Sequence, residues 1–186
     1  NSTGYNLTQL MIGSEGTLAV ITKIVFKLIP LPTKDITMLV PFNSAEKACE
    51  AVSAVFRAGI TPSALEFIER DAIDFTLKHS DVEMSIPDAV QAHLLVEVDG
   101  NDIDLLYKDC ELIAEVMQNH DSGEILLADS ESQKNQLWKL RRSISEAVKA
   151  NSVYKEEDTV VPRADLAKLL IGVKEIGAKY GFKSVC

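Results

Sequence analysis

The positions of apolar residues along the chain change repeatedly between the spacing of a strand and the spacing of a helix. From Asp35 onward, short runs rich in β-branched residues are followed by stretches whose apolar residues recur every three or four positions. The predicted strands are 35–42, 63–68, 92–98, 123–128 and 155–161, and the predicted helices are 45–57, 70–78, 102–119, 130–150 and 163–179. This order predicts the α+β class, with ferredoxin-like antiparallel sheet layers and helices on one face.

The first 32 residues do not continue that alternation. A polar, turn-rich stretch and a glycine loop come first, and residues 18–29 then predict a strand because β-branched and other apolar residues dominate there. Pro30 and Pro32 end this strand and predict a domain boundary. We therefore expect two parts, residues 1–32 and residues 33–186.

Serines and glycines mark the ends of several predicted helices. Ser44 and Ser130 stand where an N-terminal cap is expected, and Gln133 completes the spacing of a capping box with Ser130. Gly59 and Gly181 follow the last periodic residue of their helices, which is the usual place for a glycine that ends a helix. These residues define helix boundaries more sharply than periodicity alone.

The composition is that of an ordinary globular protein with an acidic surface. Apolar residues make up 46% of the 186 residues and charged residues 25%, and the formal net charge is −9. This is enough apolar material for one sizeable core. An acidic chain is poorly suited to bind nucleic acid or an anionic membrane surface, so we expect neither as a partner.

Neither the cysteines nor the histidines form a pattern typical of a metal site or a disulfide framework. The three cysteines are Cys49, Cys110 and Cys186, and the three histidines are equally scattered. We therefore expect no metal site within the chain, and a reducing compartment such as the cytoplasm. Each cysteine is expected to be a buried small apolar residue or a bystander rather than a nucleophile.

No stretch of the chain predicts a transmembrane helix. The most apolar early stretch, 17–31, carries Lys23 and Lys27 and is too short to span a bilayer. No signal peptide opens the chain, which starts at Asn1 without a methionine and stops at Cys186. We expect both ends to be cuts within a longer protein.

A loop with two glycines is the first candidate for ligand binding. Its residues are Gly13, Ser14, Glu15, Gly16 and Thr17. Glycines three apart allow the backbone to approach a ligand closely, and backbone N–H groups and hydroxyls can then face a phosphate or a ring carbonyl. The loop leads into a predicted strand and lacks the spacing of a dinucleotide fingerprint or a Walker loop. From the residues alone, a plain glycine turn between strands is the simpler interpretation.

The long helix predicted at 130–150 carries the second candidate. Its core face is formed by Leu137, Leu140, Ile144 and Val148, and its other side by Trp138, Arg141, Arg142, Ser145 and Lys149. Arg141 and Ser145 are four residues apart and therefore neighbours on the helix surface. An arginine fork beside a hydroxyl suits a carboxylate with an adjacent hydroxyl group. The alternative is a solvated cationic face with ion pairs to Glu146 or to another element.

Lys155, at the start of the predicted strand 155–161, is the third candidate. Its ammonium group would add a point charge to a site for an anion. The alternative is a charged edge strand, in which lysine discourages unwanted strand pairing. The acidic residues 156–158 directly after it favour that alternative.

Several strings of residues resemble one group of flavoproteins over essentially the whole chain. They are Asn1-x-Thr3-Gly4-Tyr5, Gly13-Ser14-Glu15-Gly16-Thr17-Leu18-x-x-Ile21-Thr22, Leu137-Trp138-x-Leu140-Arg141 and Tyr154-Lys155. These strings resemble the vanillyl-alcohol-oxidase-type flavoproteins, in the FAD-linked group of D-lactate dehydrogenase, glycolate oxidase and D-2-hydroxyglutarate dehydrogenase. The resemblance implies that 1–32 is the end of a flavin-binding domain and that 33–186 is a truncated substrate-binding cap.

The same resemblance implies roles for particular residues. The loop residues Gly13, Ser14, Glu15, Gly16 and Thr17, together with Ile21, would contact FAD. Arg141 matches an arginine that binds the substrate carboxylate, and Ser145 stands where a threonine hydroxyl often helps. Lys155 matches a substrate-binding lysine, with one extra residue before Asp158. A divalent metal, if the family's histidine segment supplies one, would be bound by residues outside this chain.

The implied chemistry is the oxidation of a D-2-hydroxyacid to a 2-oxoacid, with hydride passing to FAD. The catalytic base would belong to a part of the protein beyond this chain, so the chain alone is expected to be inactive. The implied protein is cytoplasmic or peripheral to the membrane, with a homodimer as one possible assembly. The alternative is a non-catalytic α+β domain that senses a small anion or takes part in assembly.

Overall fold

The computed structural model describes residues 4–81 and 84–186, which form two compact units, Asn1–Leu31 and Pro32–Cys186. Residues 1–3, which begin the string Asn1-x-Thr3-Gly4-Tyr5, lie outside the described residues. In the first unit, helix α1 spans Leu7–Met11 and begins where the Asn6 side chain accepts a hydrogen bond from the backbone N–H of Gln9. A turn with positive φ angles at positions 13, 15 and 16 follows it.

Residues 18–29 do not form the predicted strand. They have no regular secondary structure, and their large apolar side chains are exposed, including Val20, Val25 and Leu28 at 86%, 86% and 87%. A strand is stable only when a neighbour takes up its backbone hydrogen bonds and its apolar face is covered. None of the described residues pairs with this segment, so β propensity alone does not produce a strand.

The second unit is built on one antiparallel sheet. Its strands are β1 Lys34–Phe42, β2 Ala64–Glu69, β3 Ala92–Gly100 and β4 Leu126–Leu127. Their order across the sheet is β2-β3-β1-β4, with each neighbouring pair antiparallel. This is the split β-α-β arrangement of ferredoxin-like folds, so the predicted α+β class and antiparallel sheet are confirmed.

The helices of this unit agree closely with the periodicity of the sequence. They are α2 Ala45–Arg57, α3 Arg70–His79, α4 Ile103–Gln118, α5 Glu131–Asn151 and α6 Leu166–Tyr180, with a short 3₁₀ turn at Arg163–Asp165. Ser44 and Ser130 cap α2 and α5 through backbone N–H groups three residues on. Gly181 adopts a left-handed conformation, with φ of 74°, and ends α6.

Helices cover both faces of the sheet rather than one. The helices α2 and α4 pack on one face, against residues that include Met38, Leu94 and Val96. On the other face, α3 and α5 pack against Leu39 and Leu95. Consecutive residues of a strand point to opposite faces, so two central strands that are apolar at consecutive positions need cover on both sides. The expectation of helices on one face is corrected in this respect.

Two other predicted strands differ from the structure. The strand predicted at 123–128 is reduced to the two residues of β4, which pair with Met38 and Leu39 at the edge of the sheet. Residues 155–161 form no strand and are almost entirely exposed. No described strand is placed to pair with them, and the carboxylates at 156–158 favour solvent over an interstrand position.

Candidate functional site

One stripe of α5 is tied to three strands of the sheet by carboxylates. The stripe consists of residues 134, 138 and 141, whose spacings of four and three place them on one side of the helix. The three pairs are Lys134 with Asp35 on β1, Trp138 with Glu97 on β3, and Arg141 with Glu66 on β2. The polar stripe of α5 therefore crosses the sheet from β1 to β2, and each pair fixes one point of the crossing.

The register of the strands explains why these carboxylates lie together. Glu97 stands opposite Thr37 on β1 and Ala64 on β2, and Glu66 stands opposite Leu95, so all of them share the face under α5. The Glu97 Oε2 atom accepts hydrogen bonds from the Thr37 hydroxyl at 3.0 Å and from the Trp138 indole at 2.9 Å. A half-buried carboxylate is thus supplied with donors from a strand and a helix.

Arg141 is held at one end of its guanidinium group. Its Nε atom donates to Glu66 Oε2 at 2.7 Å, and the two side chains are 40% and 34% exposed. Within residues 4–81 and 84–186, no partner is found for the terminal Nη1 and Nη2 atoms. The ion pair to another element, which was the alternative interpretation from the sequence, is therefore present, but it uses only Nε. The two terminal nitrogens of the guanidinium group therefore have no hydrogen-bond partner among the described residues.

Ser145 lies one turn beyond Arg141 and faces the chain that follows α5. Its Oγ atom is 3.4 Å from Glu156 Oε1, while Lys149 Nζ is 2.9 Å from Glu156 Oε2. The hydrogen bond from Lys149, then its charge, and lastly the Ser145 hydroxyl hold the pKa of Glu156 below its usual value. The segment after α5 thus returns to the helix surface at Glu156.

Lys155 lies apart from the other two candidates. Its side chain is 81% exposed, and its Nζ atom is 3.3 Å from Glu157 Oε1. In the described part of the chain, no contact joins Lys155 to Arg141 or Ser145. The structure therefore brings Arg141 and Ser145 together on one helix and does not bring Lys155 to them.

The geometry of the glycine loop fits a ligand that approaches the backbone. Gly13, Glu15 and Gly16 have φ angles of 74°, 48° and 77°, and a Cβ atom added at either glycine would meet nothing within 4 Å. The backbone N–H groups of Glu15 and Gly16 have no backbone partner in the part of the chain that is described. Thr17 Oγ1 donates to the Ser14 carbonyl at 2.6 Å, so its proton is used within the loop. Open N–H groups of this kind suit an oxygen-rich cofactor.

Ile21 and the two buried cysteines complete the sequence candidates. Ile21 is 65% exposed in the first unit. Burial raises the pKa of Cys49 to about 12 and that of Cys110 to about 11, so neither thiol is a ready nucleophile at neutral pH. Among residues 4–81 and 84–186, no cluster of metal-ligating side chains is found, and no helix there is long and apolar enough to cross a membrane.

Sequence reasoning did not identify Glu66 and Glu97 as part of the site. A signal was present for Glu97, which is the only charged residue in the predicted strand 92–98. A charge in an otherwise buried strand requires a partner, and that requirement points to a polar neighbour across the sheet. For Glu66, the partner Arg141 is 75 residues away in sequence, and only the tertiary structure joins them.

Comparison with known proteins identifies the family of the second unit. The family model for FAD linked oxidases, C-terminal domain, matches residues 31–186. The chain is 33% identical over 187 residues to a D-lactate dehydrogenase of Anaerostipes hadrus, covering 98% of this chain and 39% of that protein. It is 31% identical over 184 residues to the glycolate oxidase subunit GlcD of Bacillus subtilis, covering 98% of this chain and 38% of that protein.

A solved structure shares the fold. The chain matches an alkyldihydroxyacetonephosphate synthase with a TM-score of 0.51 and 15% sequence identity, over 79% of this chain and 28% of the synthase. At that identity the match bears on the fold alone. The family match, which covers most of the chain, bears on descent as well. The chain belongs to the FAD-linked oxidases, and residues 31–186 are their C-terminal domain.

Proposed function

We propose that the intact protein oxidises a small D-2-hydroxyacid, of the lactate, glycolate or 2-hydroxyglutarate kind, to the corresponding 2-oxoacid with FAD as cofactor. The observation that carries this proposal is Arg141, whose guanidinium group is anchored through Nε to Glu66 and keeps its outer edge open. The relatives named D-lactate dehydrogenase and glycolate oxidase support the substrate class, because both names refer to small hydroxyacids that carry one carboxylate.

The residues of α5 would bind and orient the substrate. The two Nη groups of Arg141 match the two oxygens of a carboxylate in a planar, bidentate arrangement. The Ser145 hydroxyl, one helical turn away, would donate a hydrogen bond to the same ligand, at the expense of its long contact with Glu156. Lys155 lies after α5 and does not contact these two residues in the described part of the chain. It would add a second positive charge only after leaving its exposed, weak ion pair with Glu157.

The first unit would contribute to the cofactor site. We assign the loop residues Gly13, Ser14, Glu15, Gly16 and Thr17, with Ile21, to contacts with FAD, and residues 1–32 to the flavin-binding domain. The open backbone N–H groups of the loop support this assignment. When bound, FAD supplies the acceptor for the two electrons of the reaction. Residues 33–186 would then form the substrate-binding cap.

The catalytic base is assigned to residues outside this chain, as is any divalent metal. The chain spans 39% of the length of the D-lactate dehydrogenase that it matches, so most of such a protein lies elsewhere. The purified chain alone is therefore expected to retain no FAD and to show no turnover. An absorbance spectrum with a flavin band near one equivalent would contradict this expectation.

A substrate panel on the intact protein tests the proposed function. The panel contains D-lactate, L-lactate, glycolate and D-2-hydroxyglutarate, with an artificial dye as electron acceptor. Methyl D-lactate is the matched control, because it keeps the hydroxyl group and loses the carboxylate charge. We expect oxidation of at least one free D-2-hydroxyacid and a much weaker response to the ester. Equal rates with the ester would contradict recognition of the carboxylate. No oxidation of any free acid would contradict the proposed reaction and favour the anion-sensing role.

A further inference from the structure

We propose that Glu66 is a positioning residue, which holds the guanidinium group of Arg141 so that its two Nη groups face the substrate carboxylate. This inference rests on the proposed function, since it needs Arg141 to bind the ligand. Nothing in the sequence pairs the two residues, which lie on β2 and α5. Their contact of 2.7 Å, from Arg141 Nε to Glu66 Oε2, is the observation that suggests it.

The side of the guanidinium group that Glu66 uses is the central point. Arginine offers a carboxylate either its terminal edge, with Nη1 and Nη2, or its side, which includes Nε. Glu66 takes Nε, and among the described residues the terminal nitrogens have no other partner. Arg141 is therefore restrained through one of its five donors, and the terminal edge keeps the geometry for two parallel hydrogen bonds.

Glu66 is well placed to act as an anchor because its backbone is fixed. It lies in the middle of β2 and stands opposite Leu95 of the central strand β3. Its neighbours Leu65 and Phe67 pack against the core on the opposite face of the sheet. A long, flexible arginine side chain loses conformational freedom when it binds a ligand, and a fixed carboxylate beside it removes part of that cost beforehand.

The competing interpretation is that Glu66 occupies Arg141 and weakens ligand binding. A carboxylate beside the guanidinium group lowers the local positive charge, which disfavours an incoming anion. The side chains of Arg141 and Glu66 are each more than a third exposed, so solvent screens the repulsion between Glu66 and the ligand. Because Nε alone is occupied, we expect the gain from orientation to exceed the loss from neutralisation.

Two substitutions at Glu66 in the intact protein separate these interpretations. E66A removes both the acceptor and the charge, whereas E66Q keeps an oxygen acceptor and removes only the charge. We expect E66A to raise the KM for D-lactate up to about 10-fold, because the ligand must then order the Arg141 side chain itself, with kcat within about 2-fold. We expect E66Q to remain within about 3-fold of the wild type. The dissociation constant of pyruvate, measured by calorimetry, should follow the KM.

D35A is the matched control for the attachment of α5. Asp35 ties the same helix to the sheet through Lys134, seven residues before Arg141. If Glu66 acts by orienting Arg141, D35A leaves the KM for D-lactate unchanged. An equal rise of KM in D35A and E66A would overturn the proposal, because loosening of the helix would then explain both. Circular dichroism of each variant verifies that it is folded.

Other results would overturn the role of Glu66 without contradicting the proposed function. A lower KM in both Glu66 variants would mean that Glu66 competes with the ligand, and an unchanged KM in E66A would mean that it has no role. R141A is measured alongside. If R141A raises the KM and E66A does not, only the inference fails. If R141A itself leaves KM and pyruvate binding unchanged, the proposed function of the site fails.

Discussion

The two faces of the sheet in the second unit differ in the chemistry that their helices cover. Toward α2 and α4, the central strands direct apolar side chains such as Met38, Leu94 and Val96, which are buried almost completely. Toward α5, the same strands direct Thr37 and Glu97 beside Leu39 and Leu95. Partly burying a carboxylate is costly unless it is paired, and an apolar residue would stabilise the fold more. One face is therefore a purely apolar core, whereas the other combines apolar packing with paired polar groups.

The apolar face should give the largest change in stability. Leu94 is fully buried in β3, so L94A creates a cavity and is expected to lower the free energy of unfolding by ~2–5 kcal/mol. L105A is the matched control, because Leu105 is 55% exposed on α4 and its truncation should cost less than ~0.5 kcal/mol. Urea unfolding of both variants gives the comparison. Equal losses would mean that this face is not a packed core.

The face under α5 should show a dependence on pH that originates at His93. This residue of β3 is 5% exposed, and its Nδ1 atom has no hydrogen-bond partner within the described residues. Burial, and then the charge of Arg70, lowers the pKa of His93 from 6.5 to about 4. Between these values the unfolded chain binds a proton that the folded chain does not, so stability falls as the pH falls. The free energy of unfolding is expected to fall by ~3 kcal/mol as the pH is lowered from above 6.5 to about 4.

Urea unfolding at pH 7 and at pH 4.5 tests this dependence. In H93Q, the free energy of unfolding should differ much less between pH 7 and pH 4.5 than it does in the wild type. H79Q, at an exposed histidine of α3, is the control for removing an imidazole. A pH dependence that is the same in H93Q and in the wild type would assign the effect to other groups.

A smaller effect is expected for the bond between Trp138 and Glu97. Removing a hydrogen bond to a half-buried carboxylate should cost ~1–3 kcal/mol, and a double-mutant cycle isolates that term from the loss of indole packing. The variants are W138F, E97A and the double variant, followed by circular dichroism during urea unfolding. We expect a favourable coupling of ~1 kcal/mol or more. A coupling below ~0.3 kcal/mol would show that this tie adds nothing to the attachment of α5.

Local patterns in the sequence were sufficient for the helices and for the central strands. The apolar spacing of α5 correctly predicted that Leu137 and Leu140 are buried, and the helix 45–57 has the predicted bounds. The strands at 18–29 and 155–161 were predicted wrongly, because a strand depends on a partner that local sequence does not reveal. Helices satisfy their own backbone hydrogen bonds, which explains why they were the more predictable elements.

In the candidate site too, local relations could be predicted from the sequence and tertiary pairings could not. The sequence indicated that Arg141 and Ser145 are neighbours, because a helical spacing of four is a local relation. It did not indicate Glu66, because the pairing with Arg141 depends on how β2 registers with β3 and how α5 crosses them. The roles of Arg141, Ser145, Lys155 and the loop at 13–17 remain proposals that follow from the family.

The most direct test of the account compares two adjacent arginines of α5 in the intact protein. Arg141 is tied to Glu66, whereas Arg142 is exposed on the same helix, so R142A matches R141A in the side chain and charge removed. We expect R141A to raise the KM for D-lactate about 30-fold, the effect of losing charge-assisted hydrogen bonds worth ~2 kcal/mol between a partly exposed guanidinium group and a carboxylate. R142A should change the KM for D-lactate by less than about 2-fold. A KM that is unchanged in R141A, or raised equally in both variants, would contradict the assignment of Arg141 to the substrate carboxylate.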